Sequence, residues 1–379
     1  MKVLSIFGTR PEAIKMAPVV LALRDHASGI ESLVCTTGQH REMLDQVMDA
    51  FGLKADFDLN VMQTAQSPAE VASRVLQQLP LVLKQTRPDL VLVQGDTTTT
   101  CAAALAAFLE GVPVGHVEAG LRTGDLSQPF PEEMNRRVTT IVSQLHFAPT
   151  AEAVAALRAE GVPAERITLS GNTVIDALLA SVGRPHAFSE AKLASLPPSG
   201  RVILVTMHRR ESIGAPMRSA CEAVRDIVAS HPDVTVVLPV HRNPAVREIV
   251  LSILGGHPRI MLVDPLSYLD FVHLMARSYL ILTDSGGVQE EAPSLKRPVL
   301  VLREVTERPE GVVAGVAKLV GTDSSRIRAA VDELLRRPEA YAAMVGPANP
   351  YGDGHAARRI VEAICAWSKA RGRQATAGR

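Results

Sequence analysis

The sequence offers little material for a metal centre, a disulfide framework or a base-stacking surface. Its four cysteines, Cys35, Cys101, Cys221 and Cys365, are scattered over 379 residues with no C-x-x-C pair. That spacing excludes a zinc ribbon and a disulfide-dense scaffold, and makes reduced thiols in a reducing compartment the simplest expectation. Aromatic residues are only 3% of the chain, so the core must be built from Ala, Val, Leu and Ile, and a stacking platform for nucleobases is not expected. Forty basic side chains balance forty acidic ones. The absence of net charge argues against a nucleic-acid partner held by an overall basic field, but leaves room for a local phosphate site. No apolar run approaches about 18 residues, so no membrane span is expected. The apolar N-terminal run stops at Gly8-Thr9-Arg10, too short for a secretory signal. A soluble, cytoplasmic protein is the resulting expectation.

Several catalytic signatures are also missing. There is no G-x-x-x-x-G-K-[ST] and no G-x-G-x-x-G after a strand, so neither a P-loop nor a typical nicotinamide site is signalled. No H-E-x-x-H or clustered Cys/His set points to a metal, and no G-x-S-x-G elbow points to serine hydrolase chemistry.

What is present is alternation. Short, continuous apolar runs at 3–7, 32–36, 90–93, 112–117, 166–169, 202–206, 234–238, 260–263, 279–282 and 298–302 read as strands covered on both faces. Helical patterns at 11–24, 68–84, 98–109, 132–142, 217–229 and 325–336 separate them. The fold class is therefore α/β, with doubly wound parallel sheets. The length predicts two or three domains at about 150 residues each, large enough to fold without cross-links. Pro185, Pro197 and Pro198 with Gly183 and Gly200 mark a linker, or a linker plus a short helix, over 183–200. The expected organisation is a Rossmann-like domain over 1–182, a second over 201–354, and a C-terminal helix over 355–371 that could pack back on the first domain. A frayed tail is expected over 372–379. Ligands of open α/β sheets bind beyond the carboxyl ends of the strands, which directs attention to a cleft faced by both domains.

Two strand ends carry phosphate-binding features. In GTRPEAIKMAP (8–18), Gly8 permits a tight turn and Pro11 suits the start of a helix. Arg10 and Lys15 add positive charge near its N-terminus; a capped helix with both cations solvated explains the same residues. In DSGGVQEEA (284–292), Asp284 and Ser285 can serve as turn or cap, and Gly286-Gly287 allows close backbone approach. One of Glu290 and Glu291 could accept ribose hydroxyls, the other only complementing the helix dipole.

Titratable groups gather where apolar runs end: Asp96; His116, Glu118 and Arg122; Glu132, Glu133, Arg136 and Arg137; His208, Arg209, Arg210 and Glu211; His241 and Arg242. Strand ends hold such groups rigidly, as acid–base chemistry requires. Plainer roles exist for several. Asp96 could cap the helix near Thr98, the two glutamates could complement a dipole, and His116 reads best as a hydrogen-bonded core histidine. His146, His257 and His273 are read as structural.

The segments FGTRPEAIKMAP, TGQHREMLDQV, VQGDTTTT, GHVEAGLRTGD, PFPEEMNRR, GNTVIDALL, HRRES, DSGGVQEEAPSL, TERPEGV, GTD and NPYGDG follow one another from residue 7 to residue 354. Together they make the chain resemble the non-hydrolysing UDP-N-acetylglucosamine 2-epimerases of bacteria. The resemblance implies two Rossmann-like domains in the GT-B arrangement, a homodimer, and interconversion of UDP-GlcNAc and UDP-ManNAc with no cofactor and no metal. It assigns uridine-diphosphate contacts to Arg10, Lys15, Phe271, Ser285, Gly286, Gly287, Glu291 and Arg308. It assigns catalysis to Asp96, Glu118, Glu132 and His208, and a second, activating UDP-GlcNAc to Gln39, Gln66, Arg209 and His241. Met207, Ser212 and Leu266 depart from residues common in relatives, none within the proposed chemistry.

The chemistry so implied has clear demands. No carbonyl adjoins C2 of the sugar, so its proton is not acidic. Expelling UDP from C1 as the C2 proton leaves avoids a carbanion, and both bonds are axial in UDP-GlcNAc, as anti elimination requires. The resulting 2-acetamidoglucal takes UDP back with a proton on the other face of C2. A hydrolysing relative that releases ManNAc, a GT-B glycosyltransferase and a UDP-sugar-binding regulator are the competing readings.

Overall fold

A computed structural model describes the chain apart from residues 27–28, 39–40, 64–65, 198, 210–211 and 378–379, and in 41–43 and 374–377 it describes the backbone alone. The chain forms two compact units, residues 1–177 with 352–379, and residues 178–351.

In the first unit the strands are β1 (Lys2–Phe7), β2 (Glu31–Thr36), β3 (Phe57–Asp58), β4 (Leu90–Gln94), β5 (Val114–Val117), β6 (Leu145–Ala148) and β7 (Ile167–Leu169). They form one seven-stranded sheet in the order β3-β2-β1-β4-β5-β6-β7, and every pairing is parallel. Val3 lies opposite Ser32 on one side and Leu90 on the other, so the strand order reverses between β1 and β4. In the second unit β8 (Arg201–Thr206), β9 (Val234–Pro239), β10 (Ile260–Val263), β11 (Leu280–Thr283), β12 (Val299–Val301) and β13 (Ala317–Leu319) run in the order β10-β9-β8-β11-β12-β13. These pairings are parallel too, and the order reverses between β8 and β11. Both units are thus doubly wound, and each has the switch point at which such sheets bind ligands.

The sequence pattern accounts for the layers. All five β4 residues are buried, as a continuous apolar run covered on both faces should be. The Ala-rich helix Thr98–Leu109 is capped by the Thr97 hydroxyl. Its small side chains let it pack closely between the helices Pro68–Thr86 and Glu132–Val142. Three strands, β3, β6 and β13, were not among the runs read from the sequence. β3 has only two residues and β13 three. β6 follows the helix Glu132–Val142 after only two residues, so no turn signal separates their apolar patterns.

The segment 183–200 carries a short helix, as one of its two readings has it, and is packed into the second unit. Leu193 and Leu196 are buried in the second unit's core, with Phe188 packed beside them, and Ala191–Ala194 is a helical turn. The buried Asp270 carboxylate fixes the segment by accepting from His186 Nε2 (2.6 Å), the Ser189 N–H (3.0 Å) and the Glu190 N–H (3.3 Å). The C-terminal helix, Ala356–Ala377, belongs to the first unit and runs past residue 371. Asp176 accepts from its first N–H groups, Ala356 and Ala357, at 3.1 and 2.8 Å, and the helix packs on Arg10–Asp25. Among the described residues no helix is long and apolar enough to cross a membrane.

Candidate active site

Parallel strands place their carboxyl ends along one edge, so Gly8 after β1, Asp96 after β4 and Glu118 after β5 come together in the first unit. Gly8 is required there, because a Cβ would stand 2.0 Å from Thr37 Oγ1. Thr9 caps the helix Arg10–Asp25 in a capping box with Glu12. The buried Glu12 carboxylate accepts from the Gly8 and Thr9 N–H groups at 2.9 and 2.7 Å. It also accepts from the Thr97 and Thr100 hydroxyls at 2.6 and 3.0 Å. One carboxylate thereby fastens the loop bearing Arg10 to the loop bearing Asp96. Arg10 is itself partly buried at the first helical position.

Glu118 has a left-handed backbone, φ 65°, uncommon for a residue with a Cβ. Its side chain is only 7% exposed and pairs with Lys15 Nζ at 2.5 Å. Gln94 Nε2 also donates to it, as does Asn172 Nδ2 at 3.3 Å. Asp96 does not cap the following helix; Thr97 does. Instead its carboxylate receives Arg136 Nε and Nη2 at 2.9 and 2.7 Å.

The two adjacent glutamates divide their roles. Glu133 is fully buried and accepts from the Thr123 N–H, Gly124 N–H, Arg136 and Arg137, anchoring the 123–124 loop. Burial pushes its carboxyl up, but these hydrogen bonds prevail and hold it below the usual range. Glu132, partly buried, keeps a buried Oε2 with no hydrogen-bond partner among the described residues, the state of a group awaiting one. His116 is the core histidine expected: Nε2 lies 2.7 Å from the Gly95 carbonyl, and burial pushes its pKa down to about 3. The ring is neutral and donates. Gln66 uses its amide within its own loop, accepting from the Gln63 N–H and donating to the Val61 carbonyl. Gln39, Arg210 and Glu211 lie outside the described residues.

In the second unit the ends of β8, β9 and β11 make a second cluster. Asp284 is fully buried, and its Oδ2 accepts the N–H groups of His208 and Arg209, both at 2.9 Å. His208 Nδ1 lies 3.3 Å from Oδ1, and the His208 ring stacks at 6.1 Å on that of His241. The Ser285 hydroxyl makes no cap hydrogen bond to the helix Gly286–Glu291. Arg209 spans this turn: Nη2 lies 3.8 Å from where a Gly286 Cβ would be, and Nη1 reaches Glu307 at 3.3 Å. Glu290 is buried against Arg308 Nε, so it is the structural member of its pair, while Glu291 stays partly exposed beside Gly287. Tyr351 braces Arg308 by donating to its carbonyl at 3.1 Å. Phe271 lies partly buried on the helix Tyr268–Arg277, next to Asp270.

The structure thus brings Arg10, Lys15, Asp96, Glu118 and Glu132 to one sheet edge, and His208, Arg209, His241, Ser285, Gly286, Gly287, Glu291 and Arg308 to another. Sequence reasoning missed Glu12, Gln94 and Asn172, although T-x-x-E at Thr9–Glu12 is a legible capping box. Among the described residues no cluster of His, Cys, Asp and Glu could hold a metal.

The profile of a family described as UDP-N-acetylglucosamine 2-epimerase matches residues 22–365. The UDP-N-acetylglucosamine 2-epimerase of Escherichia coli K12 is 53% identical, covering 96% of this chain and 98% of that protein. The enzyme of the same description from Bacillus subtilis 168 is 52% identical, over 96% and 95%. The crystal structure of UDP-GlcNAc 2-epimerase from Neisseria meningitidis bound to UDP-GlcNAc superposes with a TM-score of 0.85, at 47% identity, over 96% of this chain and 100% of that one.

Proposed function

Because the chain belongs to the UDP-N-acetylglucosamine 2-epimerase family, we propose that it interconverts UDP-GlcNAc and UDP-ManNAc without hydrolysis, as a cytoplasmic homodimer supplying ManNAc for cell-surface polysaccharide. The observation that carries this reading is the set of three carboxylates on one sheet edge, each in a different electrostatic setting: Glu118 held by Lys15, Asp96 by Arg136, and Glu132 with an oxygen unpartnered among the described residues.

The mechanism is elimination and re-addition. A carboxylate takes the C2 proton, the C2–H electrons form the C1=C2 bond, and the C1–O electrons leave with UDP. Re-addition from the glycal reverses the flow, with a proton delivered to the opposite face of C2. Opposite faces need more than one proton carrier, and Asp96, Glu118 and Glu132 supply them. Negative charge grows on the departing diphosphate. Arg10, Lys15, Arg308 and the backbone at Ser285–Gly287 stabilise it, and His208 holds a phosphate oxygen. Phe271 and Glu291 take the uridine. Gln39, Gln66, Arg209 and His241 are proposed for a second, activating UDP-GlcNAc.

Ion-exchange chromatography of UDP-GlcNAc incubated with the protein alone tests the function. Two interconverting UDP-sugars are expected. Release of UDP and free ManNAc would replace this reading by the hydrolysing one. Turnover only with an added acceptor would replace it by a transferase.

A further inference from the structure

Glu118 is held in a disfavoured backbone conformation by donors from three separate places in the first unit. Lys15 comes from the helix after β1, Gln94 is the last residue of β4, and Asn172 lies beyond β7. Lys15 and Asn172 address Oε1, and Gln94 addresses Oε2. Neither amide is available to bulk water, since Gln94 and Asn172 are each 3% exposed. Asn172 is also oriented from behind: its Oδ1 accepts the Val174 N–H at 3.1 Å, which leaves the NH2 end for the carboxylate.

Left-handed residues with side chains cost of order 1 kcal/mol and persist only where surrounding contacts fix them. Here the contacts end on the carboxylate itself. We propose that Gln94 and Asn172 are positioning residues of the epimerisation: they do not touch substrate, but fix the rotamer and the ionised state of Glu118. Lys15 can then turn toward the departing diphosphate without the carboxylate losing its aim. A side chain that must take a proton from one defined face of C2 needs this constraint, because misplacement by about 1 Å can cost about a hundredfold in rate.

The proposal rests on Glu118 being a proton carrier, so Glu118→Gln is measured alongside. Asn172 also holds the start of the helix Thr173–Val182, so Gln94 is the cleaner position. Gln94→Met keeps the volume and removes the donor. Steady-state kinetics with UDP-GlcNAc should show kcat reduced about ten- to hundredfold, the worth of one charge-assisted hydrogen bond, with KM changed less than about twofold. Gln94→Glu adds a carboxyl that can donate only when protonated, so its kcat should recover as the pH is lowered, whereas that of Gln94→Met should not. Unchanged kcat in Gln94→Met, or equal effects on kcat and KM, overturns the assignment. So does a Gln94→Glu variant with no recovery at low pH, a result that remains decisive should Gln94→Met fail to fold. Wild-type kcat in Glu118→Gln would overturn the proton-carrier reading instead, and this assignment with it.

Discussion

Replacing Glu12 by alanine removes the carboxylate that joins the Arg10 and Asp96 loops, and its cost can be worked out from the hydrogen bonds. The two hydroxyls can find other partners: Thr97 Oγ1 and Thr100 Oγ1 lie 3.1 Å apart, and the Gln94 carbonyl lies 2.6 Å from Thr100 Oγ1 as an alternative acceptor for its proton. The Gly8 and Thr9 N–H groups cannot re-pair so readily. A buried donor left unsatisfied costs about 1–3 kcal/mol, and loss of the capping box adds about 1 kcal/mol. Glu12→Ala should therefore destabilise by about 2–4 kcal/mol. For a unit of about two hundred residues this lowers its Tm by roughly 5–15 °C. Glu12→Gln keeps one oxygen for the two N–H groups and turns an NH2 toward hydroxyls that can accept, so it should cost less than about 1.5 kcal/mol. Scanning calorimetry of both variants reads the difference. Equal destabilisation by the two substitutions, or none by alanine, would refute the bridging role of this carboxylate.

Glu132→Gln should lower kcat by about two to four decades while leaving the thermal transition nearly unmoved, because Glu132 Oε2 has no partner to lose among the described residues; a large Tm shift would make it structural instead. His116 binds no proton in the folded state until about pH 3, whereas the unfolded chain takes one near pH 6.5. Stability should therefore fall as the pH drops below about 6.5, by up to about 1.4 kcal/mol per pH unit. His116→Gln, which can still donate to the Gly95 carbonyl, should flatten that slope in urea titrations; an unchanged slope would contradict it. Asp353 forms a two-bond pair with Arg359 at 2.8 and 2.6 Å, which holds its carboxyl at about 2. Its contribution is present above about pH 4 and is lost as the pH falls through 2, so the Tm deficit of Asp353→Asn should be greatest near neutrality and shrink between pH 4 and 2.

The architecture was legible where the chain punctuates itself. Continuous apolar runs ending in Gly8, Gly95-Asp96 and Asp284 marked β1, β4 and β11 and the loops that bear the candidate residues. It was illegible where tertiary contacts outweigh local signals. Prolines around 183–200 read as a linker, yet Leu193 and Leu196 are drawn into the second core and Asp270 ties down the backbone before them. At the candidate sites, residue type at a strand end was enough to single out Asp96, Glu118 and His208 as candidates. It could not divide Glu132 from Glu133, or Glu290 from Glu291, because the distinction lies in which neighbour donates: Arg136 and Arg137 to Glu133, Arg308 to Glu290. Gln94 and Asn172 were hidden for the same reason. An amide is a common residue, and only folding shows that two of them end on one carboxylate.

The central claim is that the C2–H bond breaks while UDP stays with the protein. Proton NMR of UDP-GlcNAc in D2O, with the protein and nothing else added, tests it directly. The account predicts a UDP-linked manno anomeric signal with deuterium entering at C2. Epimerisation with the original proton retained at C2, or an unchanged spectrum, would contradict it.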